Sequence, residues 1–457
     1  MPSNDTIAAI ATPPGTSSVA MIRVSGPDAI AIADKVFHGR QGLHALKGYE
    51  AAYGNVLSME TNELIDEVIA LVYRDPHSFT GEDTVEFMCH GNTLIASSIT
   101  EELIKAGAVP ARPGEFTQRA FLNGRLDLAQ AEAVADMISA SSKASLRLAV
   151  SQLKGGISDK IRELRSQLVE LTSLLELELD FSEEDVEFAN RDQLRSLIEE
   201  SLDVSTKLRD TFSSGNAIRE GILVTIAGKP NAGKSTLLNT LLSEERAIVS
   251  DIPGTTRDTI EETITMNGVL FRFADTAGIR QSTDVIESEG VKRALKKIAD
   301  SRVILYVFDV TSESTDDVGT ALKDILSTVS EDTVVIPLAN KSDSIIKNRF
   351  DDIEGLISIS AKLGDGIDAL KKVLYNMAAS VAQEAGDVAI TNIRHKRALD
   401  EGIDALMRSK EGLLNGLTTD LLASEIRSAL FHFGEITGEV TTDEILGNIF
   451  SRFCIGK

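Results

Sequence analysis

The chain has 457 residues, a length that predicts about two to four domains. Its residues are 42% hydrophobic and 25% charged, with 33 Gly, 10 Pro and only 2 Cys, which excludes a collagen, a disordered tail protein and a disulfide scaffold. The net charge of -24 argues against a protein that holds nucleic acid by a basic face alone, because phosphate binding relies on Lys and Arg.

The first 125 residues mix the signals of strands and helices. Apolar, β-branched runs at 19–24 and 67–73 predict strands, and residues 93–106 predict a helix, with frequent Gly and Pro turns between them. We therefore expect an α+β domain over residues 1–125. No basic stretch precedes the first apolar residues and no apolar run approaches about 18 residues, so neither a signal peptide nor a membrane span is expected. With so few cysteines, this favours a cytoplasmic protein.

The rest of the chain alternates between helical and mixed patterns. Residues 127–208 lack proline and repeat apolar residues at helical spacing, and helical spacing returns after about residue 377. Between them, the apolar runs 222–227, 303–310, 333–339 and 356–360 are separated by helical stretches, which predicts a mostly parallel sheet with helices on both faces. The simplest organisation is an all-α domain in two parts, 126–220 and 381–457, with an α/β domain inserted at 221–380. Two separate helical modules would give the same pattern.

The sharpest motif is the phosphate loop, which we define as residues 228–235, Gly-Lys-Pro-Asn-Ala-Gly-Lys-Ser. It fits G-x-x-x-x-G-K-[ST] and lies between a predicted strand and a predicted helix. The glycines let main-chain N–H groups face phosphate oxygens. Lys234 can then reach the β and γ phosphates, and the Ser235 hydroxyl can bind Mg²⁺.

Three further motifs follow predicted strands. Asp275 begins Asp-Thr-Ala-Gly and can hold Mg²⁺ through water, whereas Asp343 ends Asn-Lys-Ser-Asp and can accept the paired N–H donors that distinguish guanine from adenine. Residues 360–362, Ser-Ala-Lys, can offer a main-chain N–H to the guanine oxygen. In this order the motifs resemble those of the small G proteins and predict a Ras-like GTPase domain.

We expect GTP to be bound by residues of all these motifs and of the segment after the first helix: Asn231, Ala232, Gly233, Lys234, Ser235, Thr236, Ser250, Asp251, Ile252, Pro253, Gly254, Thr255, Thr256, Asp275, Thr276, Ala277, Gly278, Asn340, Lys341, Asp343, Ser360 and Ala361. Ile279 stands where Ras-type proteins have a glutamine that orients water, so the catalytic residue must come from elsewhere. Thr256 is placed to bind Mg²⁺. Oxygens of Ser250 and Ile252 could surround a monovalent cation, which would supply positive charge beside the phosphates.

Other motifs, most of them outside the predicted GTPase domain, are more specific. They are Asn4-Asp5-Thr6-Ile7, Ala11-Thr12-Pro13-Pro14-Gly15, Ser78-Phe79-Thr80-Gly81-Glu82-Asp83, Ala111-Arg112-Pro113-Gly114-Glu115-Phe116, Gly254-Thr255-Thr256-Arg257-Asp258 and the terminal Phe453-Cys454-Ile455-Gly456-Lys457. With these motifs, residues 4–457 resemble the MnmE (TrmE) family of tRNA-modification GTPases.

The resemblance implies a function and a set of partners. Such proteins act with a flavoprotein, MnmG (GidA), which carries the FAD, to add a carboxymethylaminomethyl or aminomethyl group to carbon 5 of the wobble uridine of certain tRNAs. They form homodimers through their N-terminal domains, use a 5-formyl-tetrahydrofolate-type one-carbon donor and need K⁺ for G-domain pairing. No membrane is involved.

The resemblance also assigns residues. By matching position, the K⁺ ligands would be Asn231, Ser250, Ile252 and Thr255, and the Mg²⁺ ligands would be Ser235 and Thr256. Glu287 falls where the family has an acid that orients the attacking water indirectly, although sequence alone favours an ordinary surface acid there.

The folate site would comprise Arg23, Glu86, Arg125 and Lys457, with the cations on the glutamate carboxylates and Glu86 on the pterin. Cys454 either supplies a thiol to the modification chemistry or belongs to a tail that shapes the site.

One alternative from a different class stays open, a regulatory GTPase switch without modification chemistry. The domain at 1–125 and the tail at 453–457 favour the modifying enzyme, because a pure switch would not need them. The acidic excess is spread through all four predicted segments, which suggests that a partner supplies much of the phosphate-binding surface for tRNA.

Overall fold

The structure, a computed structural model, describes residues 5–180, 191–244, 262–275, 301–330, 332–344, 350, 352–451 and 453–456. Its contacts divide the chain into two compact units. The first unit comprises Met1–Ala135, Gln152–Ser201 and Glu401–Lys457, and the second comprises Asp136–Ser151 and Leu202–Asp400. The second unit therefore interrupts the first along the chain. The domain borders at residues 125, 220 and 380 stay a prediction, and the units differ from them in grouping residues 136–151, 202–220 and 381–400 with the second unit.

The first unit opens with a mixed sheet and three helices. Their bounds are β1 (Ile7–Ile10), β2 (Val19–Ser25), α1 (Ala29–Val36), β3 (Phe37–Gly39), β4 (Glu50–Leu57), β5 (Leu64–Tyr73), β6 (Thr84–His90), α2 (Thr93–Lys105), β7 (Val109–Pro110) and α3 (Glu115–Leu122). The strand order is β3-β4-β5-β6-β2-β1-β7, and neighbours are antiparallel except for the parallel pair of β1 and β7.

Alternating side chains give strand β5 one buried face and one more exposed face. In β5, Val68, Ala70 and Val72 are buried, whereas the residues between them are more exposed. Helices α1 and α2 pack on the buried face and contribute to the same apolar core. The predicted α+β domain is confirmed.

Helices follow the sheet: α4 (Leu128–Ser139), α5 (Lys143–Leu153), α6 (Gly156–Asp180), α7 (Arg191–Asp210) and α8 (Phe212–Glu220). The elements of the second sheet come next: β8 (Ile222–Ala227), α9 (Lys234–Glu244), β9 (Glu262–Met266), β10 (Val269–Asp275), β11 (Val303–Asp309), α10 (Thr315–Thr328), β12 (Val334–Asn340), β13 (Ile357–Ser358) and α11 (Ile367–Ala385). The chain closes with α12 (Ile393–Leu414), α13 (Thr419–Thr437) and α14 (Asp443–Phe450).

Helix α6 packs along α13 within the first unit. Its residues Ile161, Leu168 and Leu175 recur every seven positions and are buried, because side chains at this spacing lie on one face of a helix. In the part of the chain that the structure describes, no helix is both long and apolar enough to cross a membrane.

The second sheet has the order β13-β12-β11-β8-β10-β9. Every neighbouring pair is parallel except β9 and β10, which form an antiparallel hairpin. Strands β8 and β11 lie in the middle, so their apolar runs are buried. The carboxyl ends of β8, β10, β12 and β13 meet at one edge, where such sheets bind ligands. This confirms the predicted fold class. The last predicted strand is shorter than expected, because Ser360 forms only an isolated bridge with Asp365.

Candidate functional site

The phosphate loop leaves the end of β8 and enters α9. Gly228 has φ +146°, and a Cβ atom there would lie 2.0 Å from the main-chain oxygen of Val307 in β11. Only glycine fits so close to the neighbouring strand. Asn231 is exposed with φ 63°, a conformation that asparagine tolerates better than most residues.

Lys234 lies inside the phosphate loop. Its Nζ atom donates 2.8 Å hydrogen bonds to the main-chain oxygens of Gly228 and Lys229, and the residue is 8% exposed. The loop therefore holds a positive charge in its concavity, which is the charge that triphosphate binding needs. Ser235 and Thr236 follow on the exposed side of the first turn of α9.

Asn340 joins three of the predicted motifs. It ends β12 and is 3% exposed. Its Nδ2 atom donates a 2.7 Å hydrogen bond to the main-chain oxygen of Ala232 in the phosphate loop, and its Oδ1 atom accepts a 3.0 Å bond from the main-chain N–H of Ala361. One side chain thus ties the phosphate loop to both predicted guanine motifs.

Asp343 and Lys341, two of the predicted GTP-binding residues, are held in place by their neighbours. A hydrogen bond from the Ser360 hydroxyl lowers the pKa of Asp343, so this exposed carboxyl is ionised and can accept donors at neutral pH. Lys341 has φ 66° and donates a 2.5 Å hydrogen bond from Nζ to Asp309 at the end of β11. Burial raises the pKa of Asp309, but bonds from Lys341 and Thr311 outweigh burial and lower it.

Several predicted residues lie outside the described residues: Ser250, Asp251, Ile252, Pro253, Gly254, Thr255, Thr256, Thr276, Ala277, Gly278, Glu287 and Lys457. Asp275 is the last residue of β10 and pairs with Ile226, so its main chain lies at the same sheet edge as the start of the phosphate loop. The described part of the site consists of the phosphate loop and the two guanine motifs.

A second cluster lies on the sheet of the first unit. Arg23 in β2 and Glu86 in β6 are register partners, and an Arg23 nitrogen lies 2.7 Å from Glu86 Oε1. The Tyr73 hydroxyl donates a 3.1 Å hydrogen bond to the other carboxylate oxygen of Glu86. Burial and the nearby Glu86 charge raise the pKa of Tyr73, so this hydroxyl stays protonated. The structure therefore brings two of the four predicted folate residues into direct contact.

Aromatic rings enclose this ion pair. The Arg23 guanidinium lies 5.5 Å from the ring centres of both Phe79 and Phe116, a distance typical of cation–π contacts. Phe79 belongs to the loop 78–83, and Gly81 in that loop lies against Arg125, since a Cβ atom on Gly81 would be 3.1 Å from the Arg125 Cγ. Arg125 is exposed. Arg125 and Arg23 thus border the same loop.

The tail of the chain lies beside the first sheet. The main-chain N–H of Gly114 donates a 3.3 Å hydrogen bond to the Cys454 oxygen. A Cβ atom on Gly456 would lie 2.3 Å from the main-chain oxygen of Ile10, the residue next to the register partner of Arg23. The Cys454 side chain is exposed, whereas burial raises the pKa of the other thiol, Cys89, to about 11. Of the two cysteines, Cys454 is therefore the accessible one.

Sequence reasoning missed some of the residues that complete these clusters. Tyr73 ends a predicted strand, yet its partner Glu86 is thirteen residues away and the pairing of β5 with β6 was not predicted. Phe79 and Phe116 stood in the quoted motifs without a role. The signal that could have found them is a phenylalanine two positions from a glycine in each of these motifs, but the sequence does not show that either ring faces Arg23.

Comparisons with known proteins cover the whole chain. Residues 6–125 match the family described as GTP-binding protein TrmE N-terminus, and residues 128–454 match the MnmE helical domain. Proteins named tRNA modification GTPase MnmE from Cytophaga hutchinsonii and Parabacteroides distasonis are 48% and 47% identical to this chain. The first alignment covers 99% of this chain and 98% of the relative, and the second covers 99% and 100%. A crystal structure of Era from Aquifex aeolicus bound to GDP and AlF4⁻ covers 40% of this chain and 66% of that one, at 26% identity and a TM-score of 0.27.

Proposed function

This chain belongs to the MnmE family of tRNA modification GTPases, and on that premise we propose that it hydrolyses GTP within a tRNA modification reaction. In its finer form, the proposal is a K⁺-dependent GTPase. With the flavoprotein MnmG (GidA), it adds a carboxymethylaminomethyl or aminomethyl group to carbon 5 of the wobble uridine of certain tRNAs. A tetrahydrofolate derivative supplies the one-carbon unit.

The observation that most directly supports GTPase activity is the pair of hydrogen bonds by which Asn340 connects the phosphate loop to Ala361. The bridge sets the spacing between the loop that would hold the phosphates and the loops that would hold the base. Lys234 presents its ammonium group to the phosphates, and Asp343 accepts the paired N–H donors of guanine. Ser235, exposed at the first turn of α9, fits a Mg²⁺ ligand, with Thr256 as its partner. Bound Mg²⁺ would neutralise phosphate charge.

The K⁺ part of the proposal rests on family membership. Asn231, Ser250, Ile252 and Thr255 would be the ligands, and bound K⁺ would supply positive charge beside the phosphates. Asn231 is the member of this set that the structure describes, and it is exposed on the phosphate loop, where its side chain is accessible to a cation. Glu287 would orient the attacking water indirectly.

The folate part is refined by the ion pair of Arg23 and Glu86. Because the two side chains touch, they would serve the same end of a folate. In this proposal, Arg23 would orient Glu86, which would bind the pterin end of the folate. Arg125 and Lys457 would bind the glutamate carboxylates. The rings of Phe79 and Phe116 provide flat apolar surfaces that suit a pterin. Cys454, exposed on a tail beside this sheet, would act in the modification chemistry or belong to a tail that shapes the site.

The remaining partners follow from the family. We propose a cytoplasmic homodimer, formed through the N-terminal domains, that works with MnmG, and FAD would reside on MnmG alone. The net charge of -24 fits an assembly in which MnmG supplies much of the surface for tRNA phosphates. Tight tRNA binding by this chain alone at physiological salt would contradict the proposal that MnmG supplies this surface.

Exchange of Na⁺ for K⁺ tests the proposed function. GTP turnover by the purified chain should rise sharply in K⁺, because the cation would complete the positive charge around the phosphates. Lys234→Ala is the matched control and should abolish turnover in both salts. Equal turnover in Na⁺ and K⁺ would remove the cation from the proposal, and no turnover in either salt would contradict the GTPase itself.

A further inference from the structure

Glu313 is a buried carboxylate beside the phosphate loop. It is 4% exposed and lies in the turn between β11 and α10. Its Oε2 atom lies 3.2 Å from Nζ of Lys229, the second residue of the phosphate loop. Its Oε1 atom accepts a 3.1 Å hydrogen bond from the main-chain N–H of Asp309. One carboxylate thus connects the phosphate loop to the end of a central strand.

The turn that carries Glu313 is itself fixed. The Glu313 main-chain N–H donates a 3.0 Å hydrogen bond to the Asp309 oxygen, and the Thr311 hydroxyl donates a 2.6 Å bond to the Asp309 carboxylate. The other oxygen of that carboxylate accepts from Lys341 of the guanine motif. Glu313 therefore pairs with Lys229 of the phosphate loop, and Asp309, four residues earlier, pairs with Lys341 of the guanine motif.

Lys229 also matters through its main chain. Its oxygen accepts hydrogen bonds from Nζ of Lys234 at 2.8 Å and from the N–H of Ala232 at 3.3 Å. Lys229 therefore holds Lys234 with its main-chain oxygen and pairs with Glu313 through its side chain. Lys229 is half exposed, so an ion pair on this residue would contribute little to overall stability.

We propose that Glu313 is a positioning residue for GTP, which acts through Lys229 to fix the phosphate loop in the shape that holds Lys234. This role rests on the proposed GTPase function, and Glu313 lies outside all of the motifs that predicted the GTP site. A second consequence is electrostatic. A buried carboxylate this close to the loop would repel the phosphates of GTP, and Lys229 neutralises it.

The two roles predict a distinctive pattern in variants. Lys229→Met leaves the Glu313 charge uncompensated near the phosphates, so the dissociation constant for GTP should rise about tenfold. Glu313→Gln removes that charge but loosens the loop, so a smaller rise of about threefold is expected. The double variant should bind GTP better than Lys229→Met alone, because the repelling charge is gone. Lys229→Arg should stay within about twofold of the unchanged chain, since it restores the pair.

The experiment is a titration of the full-length chain and these variants with a fluorescent GTP analogue. Stopped-flow fluorescence measures the release of the analogue, and urea unfolding measures the stability of each variant. Lys323→Met, an exposed lysine in α10, is the matched control and should leave GTP affinity unchanged. A merely structural role would move the unfolding midpoint but would not make the double variant bind better than Lys229→Met. If Glu313→Gln folds poorly, the comparison of Lys229→Met with Lys229→Arg still tests the ion pair, because Lys229 is half exposed and tolerates substitution.

The outcomes are distinguishable. Recovery of affinity in the double variant, with the Lys229→Arg chain unaffected, supports the positioning role. Independent, multiplicative effects of the two substitutions overturn it while leaving the GTPase intact. An unchanged chain that fails to bind the GTP analogue overturns the proposed function and this inference with it.

Discussion

Asn340 offers the sharpest test of the nucleotide site, because alanine in its place removes both ends of a bridge. The Asn340 side chain is 3% exposed and bonds the Ala232 oxygen at 2.7 Å and the Ala361 N–H at 3.0 Å. Each buried main-chain group left without a partner costs about 1–3 kcal/mol. With some water entering the gap, we expect a total cost of about 2–4 kcal/mol.

That cost should appear in GTP binding, because the bridge sets the spacing of the loops. If the whole cost destabilises only the conformation that binds GTP, the affinity for GTP should drop about 30- to 700-fold, at about 1.4 kcal/mol per factor of ten. Asn340→Asp should bind no better than Asn340→Ala, since it places a carboxylate oxygen against the Ala232 oxygen.

The assay is equilibrium titration with a fluorescent GTP analogue, with urea unfolding of the same variants. Asn239→Ala, at an exposed position of α9, is the control and should behave as the unchanged chain. If Asn340→Ala binds GTP within twofold of the unchanged chain, the bridge does not set the geometry of the site and the reasoning is refuted.

Three further predictions concern other parts of the chain. Glu287→Ala should nearly abolish GTP hydrolysis and leave GTP affinity similar, and normal turnover in a steady-state assay would show that its role is misassigned. Arg23→Ala should weaken binding of 5-formyl-tetrahydrofolate at least tenfold by calorimetry, because Glu86 loses its 2.7 Å partner, whereas Arg40→Ala should not; equal binding by both variants would count against the site. The pKa of Asp309 is lowered in the fold, so its pairing with Lys341 stabilises above the unfolded pKa of about 3.9 and is lost as pH falls through the lowered value. The stability difference between the unchanged chain and Asp309→Asn, by urea unfolding, should therefore shrink below about pH 4, and a difference independent of pH would argue against the pair.

Local motifs predicted the strand and helix that flank the phosphate loop. The strand predicted at 222–227 matches β8 in full, and the helix predicted after the phosphate loop is α9. The phosphate loop and the guanine motifs could be placed because each follows a strand, and parallel strands end at one edge. The Asn340 bridge itself was not predicted, since its partners are distant in the chain.

Long-range pairing set the limit of prediction elsewhere. The pairing of Arg23 with Glu86 depends on the register of β2 and β6, which no short pattern reveals. Likewise, the grouping of α5 with the second unit depends on apolar contacts such as that of Leu148 with the core of the second sheet. Glu313 belongs to no motif of this acidic chain, and its burial and its contact with Lys229 are visible only in the structure.

The central claim, that this chain is a GTP hydrolase acting in tRNA modification, is tested most directly by mass spectrometry of bulk tRNA from a strain that lacks the gene. We predict that carbon 5 of the wobble uridine is unmodified there, and that the modification returns with the intact gene but not with Lys234→Ala. Unchanged tRNA in the deletion strain would contradict the claim and favour a regulatory GTPase switch instead.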